Sequence, residues 1–347
     1  MSNEQPRPHH HFEVNSLDEG KKKSMKSRII VGIILALVGF PAMFFGGWVF
    51  FVFISFFLGF AIYEFIHAKQ KKYPWYVWVF TYILTISYVY WAFLKSNWIA
   101  HRAAEEAGLQ YVFSLESHFD EPVISWYTVI GSLGVYLVFS IANKDFDVSD
   151  VFYLFAMSIL IGLGFQCLLF LRYHPFATAP GLVDDRFFQW MSSSFLFIFV
   201  LMATFGNDIM AYFVGVFFGK HKMSARVSPN KSWEGFFGGW ILGGLLAFGF
   251  AALVEGLGHP VLHSLPIFGE NSRWWAIVTL SFGLPLVGVL GDLALSLIKR
   301  YYGIKDYGRL LAAHGGVLDR VDSLMFCCIF ASAFIVVFEK GFLGFFA

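Results

Sequence analysis

The feature that most constrains this chain is a succession of long apolar runs, near 29–46, 48–66, 75–94, 123–142, 151–171, 187–219, 235–254, 274–298 and 322–342. Crossing a hydrocarbon layer about 30 Å thick takes about 20 helical residues, and most of the runs have that length. Inside lipid, backbone amides must be bonded within their own segment, so runs without strand-like alternation have to be helices. The predicted fold class is all-α, a polytopic integral membrane protein with about nine transmembrane helices. At 57% apolar and 20% aromatic residues, the composition is not that of a soluble domain. Residues 1–28 read as a polar tail ahead of one transmembrane domain over 29–347, and no cleaved leader is expected, because the first apolar run is long enough to stay in the bilayer.

The runs differ in ways that predict local structure. The first two form a hairpin turning near Gly46-Gly47. The run over 187–219 is too long for one crossing and is interrupted by Gly206-Asn207-Asp208. It is expected to kink there, or to be one span followed by an interfacial helix. Residues 95–122 and 172–186 read as loops, the first acidic and the second carrying Pro175, Pro180 and Gly181. Cys167, Cys327 and Cys328 lie in apolar segments at spacings that imply neither a zinc site nor a disulfide framework. The run His9-His10-His11 reads as a solvated part of the tail.

Cationic residues set the expected orientation. With the N-terminus in the cytoplasm and nine crossings, 19 of the 25 Lys and Arg fall inside and 6 outside. That split follows the positive-inside rule, and the inverted arrangement would reverse it. The expected location is the cytoplasmic (inner) cell membrane, multi-pass, with an outer C-terminus.

Charge is scarce at 14%, yet Gly291–Ser323 concentrates Asp292, Lys299, Arg300, Lys305, Asp306, Arg309, Asp319, Arg320 and Asp322. Positive-inside anchoring accounts for Lys299 and Arg300. It does not account for three carboxylates beside Gly315-Gly316, and ionisable groups at membrane depth mark function by default. Asp292, Ser296 and Lys299 share one helical face, as do Asp319 and Asp322. Carboxylates converging from two helix ends offer hard oxygen ligands suited to Mg²⁺, whereas pairing with Arg320 or Arg309 accounts for one of them more easily than for all three. Ser228-Pro229 reads as a helix start with Lys231 in its first turn, a natural phosphate site. His314 reads equally as a phosphate contact or a loop-orienting group. Asn207 and Asp208 either reach the substrate or pack against the Lys231 helix.

The order Gly-Asp-Leu-x-x-Ser-x-x-Lys-Arg over 291–300, then Lys305-Asp306, then His314-Gly315-Gly316-x-Leu318-Asp319-Arg320-x-Asp322-Ser323, closely resembles the signature of the bacterial phosphatidate cytidylyltransferases (CDP-diacylglycerol synthases). Asn207-Asp208-x-x-Ala211-Tyr212 and the block from Ser228 to Gly235 are similar to that family's other motifs, so the resemblance is strong over about 200–325. It implies transfer of the cytidylyl group from CTP to phosphatidic acid, giving CDP-diacylglycerol and pyrophosphate for phospholipid synthesis. It further implies Mg²⁺ on Asp292, Asp319 and Asp322, with a second cation as an open option, and Lys231 among the catalytic groups. The substrate and phosphate contacts it implies are Asn207, Asp208, Ser228, Lys231, Ser296, Lys299, Arg300, Lys305, His314, Gly315, Gly316 and Arg320. Implied partners are CTP, phosphatidic acid and membrane lipids, with a homodimer as an option and no nucleic acid. Four positions depart from the family pattern: Asn230 for Lys, Leu295 for Glu, and Ala312-Ala313 for Pro-Gly. A CTP-dependent lipid kinase and an inactive or transporter-like paralogue are the alternative readings.

Overall fold

The computed structural model describes residues 37–108, 125–178, 186–224, 226–262, 272–308, 310 and 315–344. Helix α1 (37–45) leads through a turn into α2 (Gly47–His67), followed by α3 (Trp75–Glu106), α4 (Trp126–Ala142), α5 (Val148–Thr178) and α6 (Arg186–Phe218). A small hairpin, β1 (Lys222–Ser224) and β2 (Ser228–Ser232), then precedes α7 (Trp233–Gly256), α8 (Ser272–Tyr301) and α9 (Leu318–Gly344). Six of the described helices are long and apolar enough to cross a membrane, and Trp126–Ala142 is a shorter apolar helix. The protein is an all-α polytopic membrane protein with one two-stranded hairpin attached.

The expected turn lies at Gly46-Gly47, where both residues have positive φ, at 61° and 52°. Such angles are open to glycine without the clash a side chain would bring. Arg172, fully buried near the end of α5, holds this turn. Its Nε donates to the Met43 carbonyl at 2.7 Å and its guanidinium to Phe44 at 3.1 Å, satisfying carbonyls left free where α1 ends. The sequence reading placed Arg172 in an outer loop. Instead α5 continues to Thr178, and the arginine is a helical residue capping its neighbour.

Two other expectations are corrected. Helix α3 does not stop at 94 but runs to Glu106, because Ala103-Ala104-Glu105-Glu106 is good helix-forming sequence and the first helix breaker is Gly108 (φ 65°). Of the two alternatives for 187–219, the separate interfacial helix is excluded, because α6 is one helix through Gly206-Asn207-Asp208. At this point it lies close against α7. A Cβ at Gly239 would lie 2.8 Å from the Asn207 carbonyl oxygen, and one at Gly243 2.7 Å from the Asn207 Cα. The glycines let the two backbones approach, as small residues do between helices in lipid.

Helix α5 sits at the centre, and 72% of its most apolar window is buried. It packs against α2, α3, α4, α6 and α9. At its start, fully buried Asp150 takes Lys69 and Lys71 at 2.5 Å each and the Tyr73 hydroxyl at 2.9 Å, pinning the α2–α3 connection onto α5. Asp147 bonds the Asp150 amide, which holds its carboxyl below the usual range. The free cysteines Cys167, Cys327 and Cys328 are all buried.

Candidate active site

Lys231 comes from a strand, which corrects the helix start expected at Ser228-Pro229. Ser228–Ser232 pairs antiparallel with Lys222–Ser224, Lys222 opposite Ser232 and Ser224 opposite Ser228. Proline's fixed φ suits an edge strand as well as a first helical turn, and here the strand wins because Ser232 supplies the cap. Its hydroxyl accepts from the Gly235 amide at 3.2 Å, so α7 begins at Trp233. Glu234 then accepts from the Lys220 and His221 amides at 3.1 and 3.2 Å and from His221 Nδ1 at 2.6 Å, fixing the hairpin to the helix. So held, Lys231 reaches across to α8 and pairs with Asp292 at 2.5 Å.

The face predicted on α8 is present. Ser296 Oγ donates to Asp292 Oδ1 at 3.2 Å, and Lys299 bonds Asp319 of α9 at 2.8 Å and faces Asp322 at 4.0 Å. From α6, Asp208 joins this group: the Ser323 side chain bonds it, and Lys231 and Asp292 act on it electrostatically. Asn207 is 1% exposed, donates to Asp208 at 3.3 Å, and keeps its own Oδ1 without a partner among the described residues. Four aspartates (Asp208, Asp292, Asp319, Asp322) therefore gather around two lysines (Lys231, Lys299) at membrane depth, an acidic set that a cation would help neutralise.

The residues fit a hard divalent ion only in part. Among the described residues no set of three His, Cys, Asp or Glu is already gathered as a metal shell. Asp319 Oδ1 is taken by Lys299, and its Oδ2 accepts the Tyr307 amide at 2.8 Å and the Gly316 amide at 2.9 Å. Asp292 and Asp322 keep more capacity: among the described residues, Asp322 accepts its neighbouring Ser323 amide and makes a long contact to Lys299. Mg²⁺ commonly takes one or two protein carboxylates and completes its shell with water and phosphate, so this donor chemistry suits it.

One residue that organises this site was not singled out from the sequence. Glu64 of α2, 3% exposed, accepts the Val317 and Leu318 amides at 2.9 Å each and so caps the start of α9. A Cβ on Gly316 would lie 2.5 Å from its Oε2, and one on Gly308 would also collide with the carboxylate. Gly315 takes φ 81°, turning the chain so that successive amides reach Asp319 and then Glu64. Tyr307 donates to the Leu295 carbonyl at 3.3 Å, and burial, with the Asp319 charge, pushes its phenol up. In the sequence it is marked by Tyr63-Glu64-Phe65, a small piece of the family resemblance lying inside a spanning run, with no role attached.

Other expected residues lie around this centre. Arg300 bonds the Val227 and Ile304 carbonyls at 3.4 and 3.3 Å, bracing the hairpin, and with Arg226 lines a cavity of about 410 Å³. Ser228 starts β2, and Lys305 and Arg320 are exposed. His314, Arg309 and the Ala312-Ala313 departure lie outside the described residues. Leu295 is fully buried, so the Glu-to-Leu departure faces packing.

The chain is similar in sequence to several known proteins. The chain is 43% identical over 129 residues to a phosphatidate cytidylyltransferase of Mycobacterium leprae, covering 37% of this chain and 36% of the relative. It is 40% identical over 146 residues to one of Brucella abortus (41% and 47%) and 42% identical over 136 residues to one of Pseudomonas aeruginosa (39% and 45%). The chain thus spans less than half the length of these relatives. Residues 26–338, which include α1 to α8 and nearly all of α9, match the model of the cytidylyltransferase family, and the chain belongs to that family.

Proposed function

We propose that the protein transfers the cytidylyl group of CTP to phosphatidic acid, releasing pyrophosphate and leaving CDP-diacylglycerol in the membrane. The observation that carries this is the convergence of Lys231 and Lys299 on four aspartates, in a family whose relatives bear that activity in their names. Two polyanions must be brought together at a lipid surface, so the protein's task is neutralisation and in-line positioning. A phosphatidate oxygen attacks the α-phosphorus of CTP. One P–O bond forms there, and the bond to the oxygen bridging the α and β phosphates breaks. No covalent enzyme intermediate is needed. Lys231 and Lys299 neutralise phosphate oxygens, and Asp319 and Glu64 hold the loop around Gly315 and Gly316 against them. Mg²⁺ held by Asp292 and Asp322 would supply polarisation of the α-phosphate and neutralise departing pyrophosphate. Asp208 stands next to that pair, and Asp319 is the supporting member of the expected set.

Purified protein given CTP, Mg²⁺ and phosphatidic acid is expected to form CDP-diacylglycerol, and to stop when any one is omitted. Turnover undiminished by a chelator would contradict the cation assignment.

We place the site on the cytoplasmic side of the inner membrane, with a cytoplasmic N-terminus, on the strength of the cationic split. Because the native cysteines are buried, labelling of introduced ones reads orientation directly. A membrane-impermeant maleimide added to intact cells should label Glu105→Cys and spare Lys222→Cys and Lys305→Cys. Labelling of Lys305→Cys from outside would invert the arrangement.

A further inference from the structure

Lys231 stands on a hairpin that has little of its own to hold it. Two strands without further partners are marginally stable in water, and this pair is irregular between Lys222 and Ser224. The ion pair at its end is a weak anchor. Lys231 and Asp292 are 27% and 29% exposed, and pairs that water reaches add little. What fixes the lysine must therefore act at the two ends of the hairpin. At the tip, Arg300, an exposed side chain, makes one long bond of 3.4 Å to the Val227 carbonyl.

The base is bound more densely. There the Trp233 amide donates to the His221 carbonyl at 2.9 Å. Glu234, the second residue of α7, accepts the Lys220 amide at 3.1 Å, the His221 amide at 3.2 Å and the His221 Nδ1 at 2.6 Å. One carboxylate thus joins the chain leaving α6 to the first turn of α7, three residues from Lys231. Both its oxygens are engaged, and its charge has the sign of a phosphate, so it is not itself a contact for the nucleotide. We propose that Glu234, assisted by His221, is a positioning residue for Lys231. It sets where the ammonium group meets Asp292 and the substrate phosphates, without touching either. This rests on the cytidylyl-transfer reading for the reaction, but not for the lysine's placement.

Two readouts test it on the full-length protein. The first needs no turnover: brief acetylation by a water-soluble reagent, with Lys231 modification measured by mass spectrometry against the exposed Lys144. Glu234→Ala should free the ammonium group from Asp292 and raise that ratio severalfold. Glu234→Gln can still accept both amides and donate to the ring, so it should leave the ratio near the parent's. The second is a double-mutant cycle on kcat/KM for CTP. Glu234→Ala should lower it about a hundredfold, the scale of loss from a misplacement of about 1 Å, and little further in a Lys231→Ala background. His221→Ala keeps both amide bonds and should cost less. A residue that only stabilised the fold would give the same loss in both backgrounds. That result, or an unchanged acetylation ratio, overturns the proposal. Glu234→Asp, one methylene short, is expected between Ala and Gln, and decides by the same readouts if the alanine variant fails to fold. If the parent shows no turnover while the acetylation ratio still rises, the placement of Lys231 stands and the cytidylyl-transfer reading falls.

Discussion

Asp292→Asn should lower turnover about a hundredfold to a thousandfold while the protein still folds, the range seen when one preorganised charge-stabilising group is removed. The substitution keeps the side chain's size and the Ser296 contact but withdraws the charge that holds Lys231 at 2.5 Å. It also leaves Lys231, on its short hairpin, without a fixed position opposite α8. Asp292 sits at 29% side-chain exposure, so losing its charge costs the fold little, and thermal unfolding should barely move. Measuring kcat at saturating CTP together with unfolding temperature separates the two effects. Near-parental turnover would remove Asp292 from the catalytic set.

Glu64→Gln is the second change with a large expected effect, and it acts at a distance from the phosphates. The amide can accept from only one of the Val317 and Leu318 N–H groups, and its own NH₂ meets the other donor. A buried donor left unsatisfied costs about 1–3 kcal/mol, or roughly tenfold to a hundredfold if the loss falls on transition-state binding. The loop it supports carries Gly316 and leads to Asp319, so the loss should appear as a raised KM for CTP together with a lowered kcat. A purely structural role would lower yield and unfolding temperature and leave both constants of the surviving protein unchanged. Glu64→Asp, which keeps the charge but is one methylene short, should recover part of the activity.

The sequence made the membrane helices and the α8–α9 part of the site legible for the same reason: both depend on spacing along a single element. Asp292, Ser296 and Lys299 lie on one face of α8 because of helical periodicity, and no tertiary information was needed to see it. The errors arose where tertiary contacts decide. Pro229 is compatible with two backbone states, and only the capping by Ser232 and the pairing with Lys222–Ser224 select the strand. Arg172 looked like a loop charge because the carbonyls it caps lie far away in sequence. Glu64 was hidden by the same separation: its partners Val317 and Leu318 are backbone amides, which leave no mark on side-chain patterns. Asp319 looked like a metal ligand from spacing, and the folded chain shows how much of its capacity the loop already uses.

The central claim is that the α-phosphate of CTP, and not the γ-phosphate, ends on the lipid. Purified protein, Mg²⁺ and phosphatidic acid should be incubated in parallel with CTP labelled at the α or at the γ position, and lipid then separated from water-soluble products. The account predicts α label in the lipid and γ label in pyrophosphate. Label from the γ position in the lipid, with CDP in the aqueous phase, would contradict it and make the protein a lipid kinase.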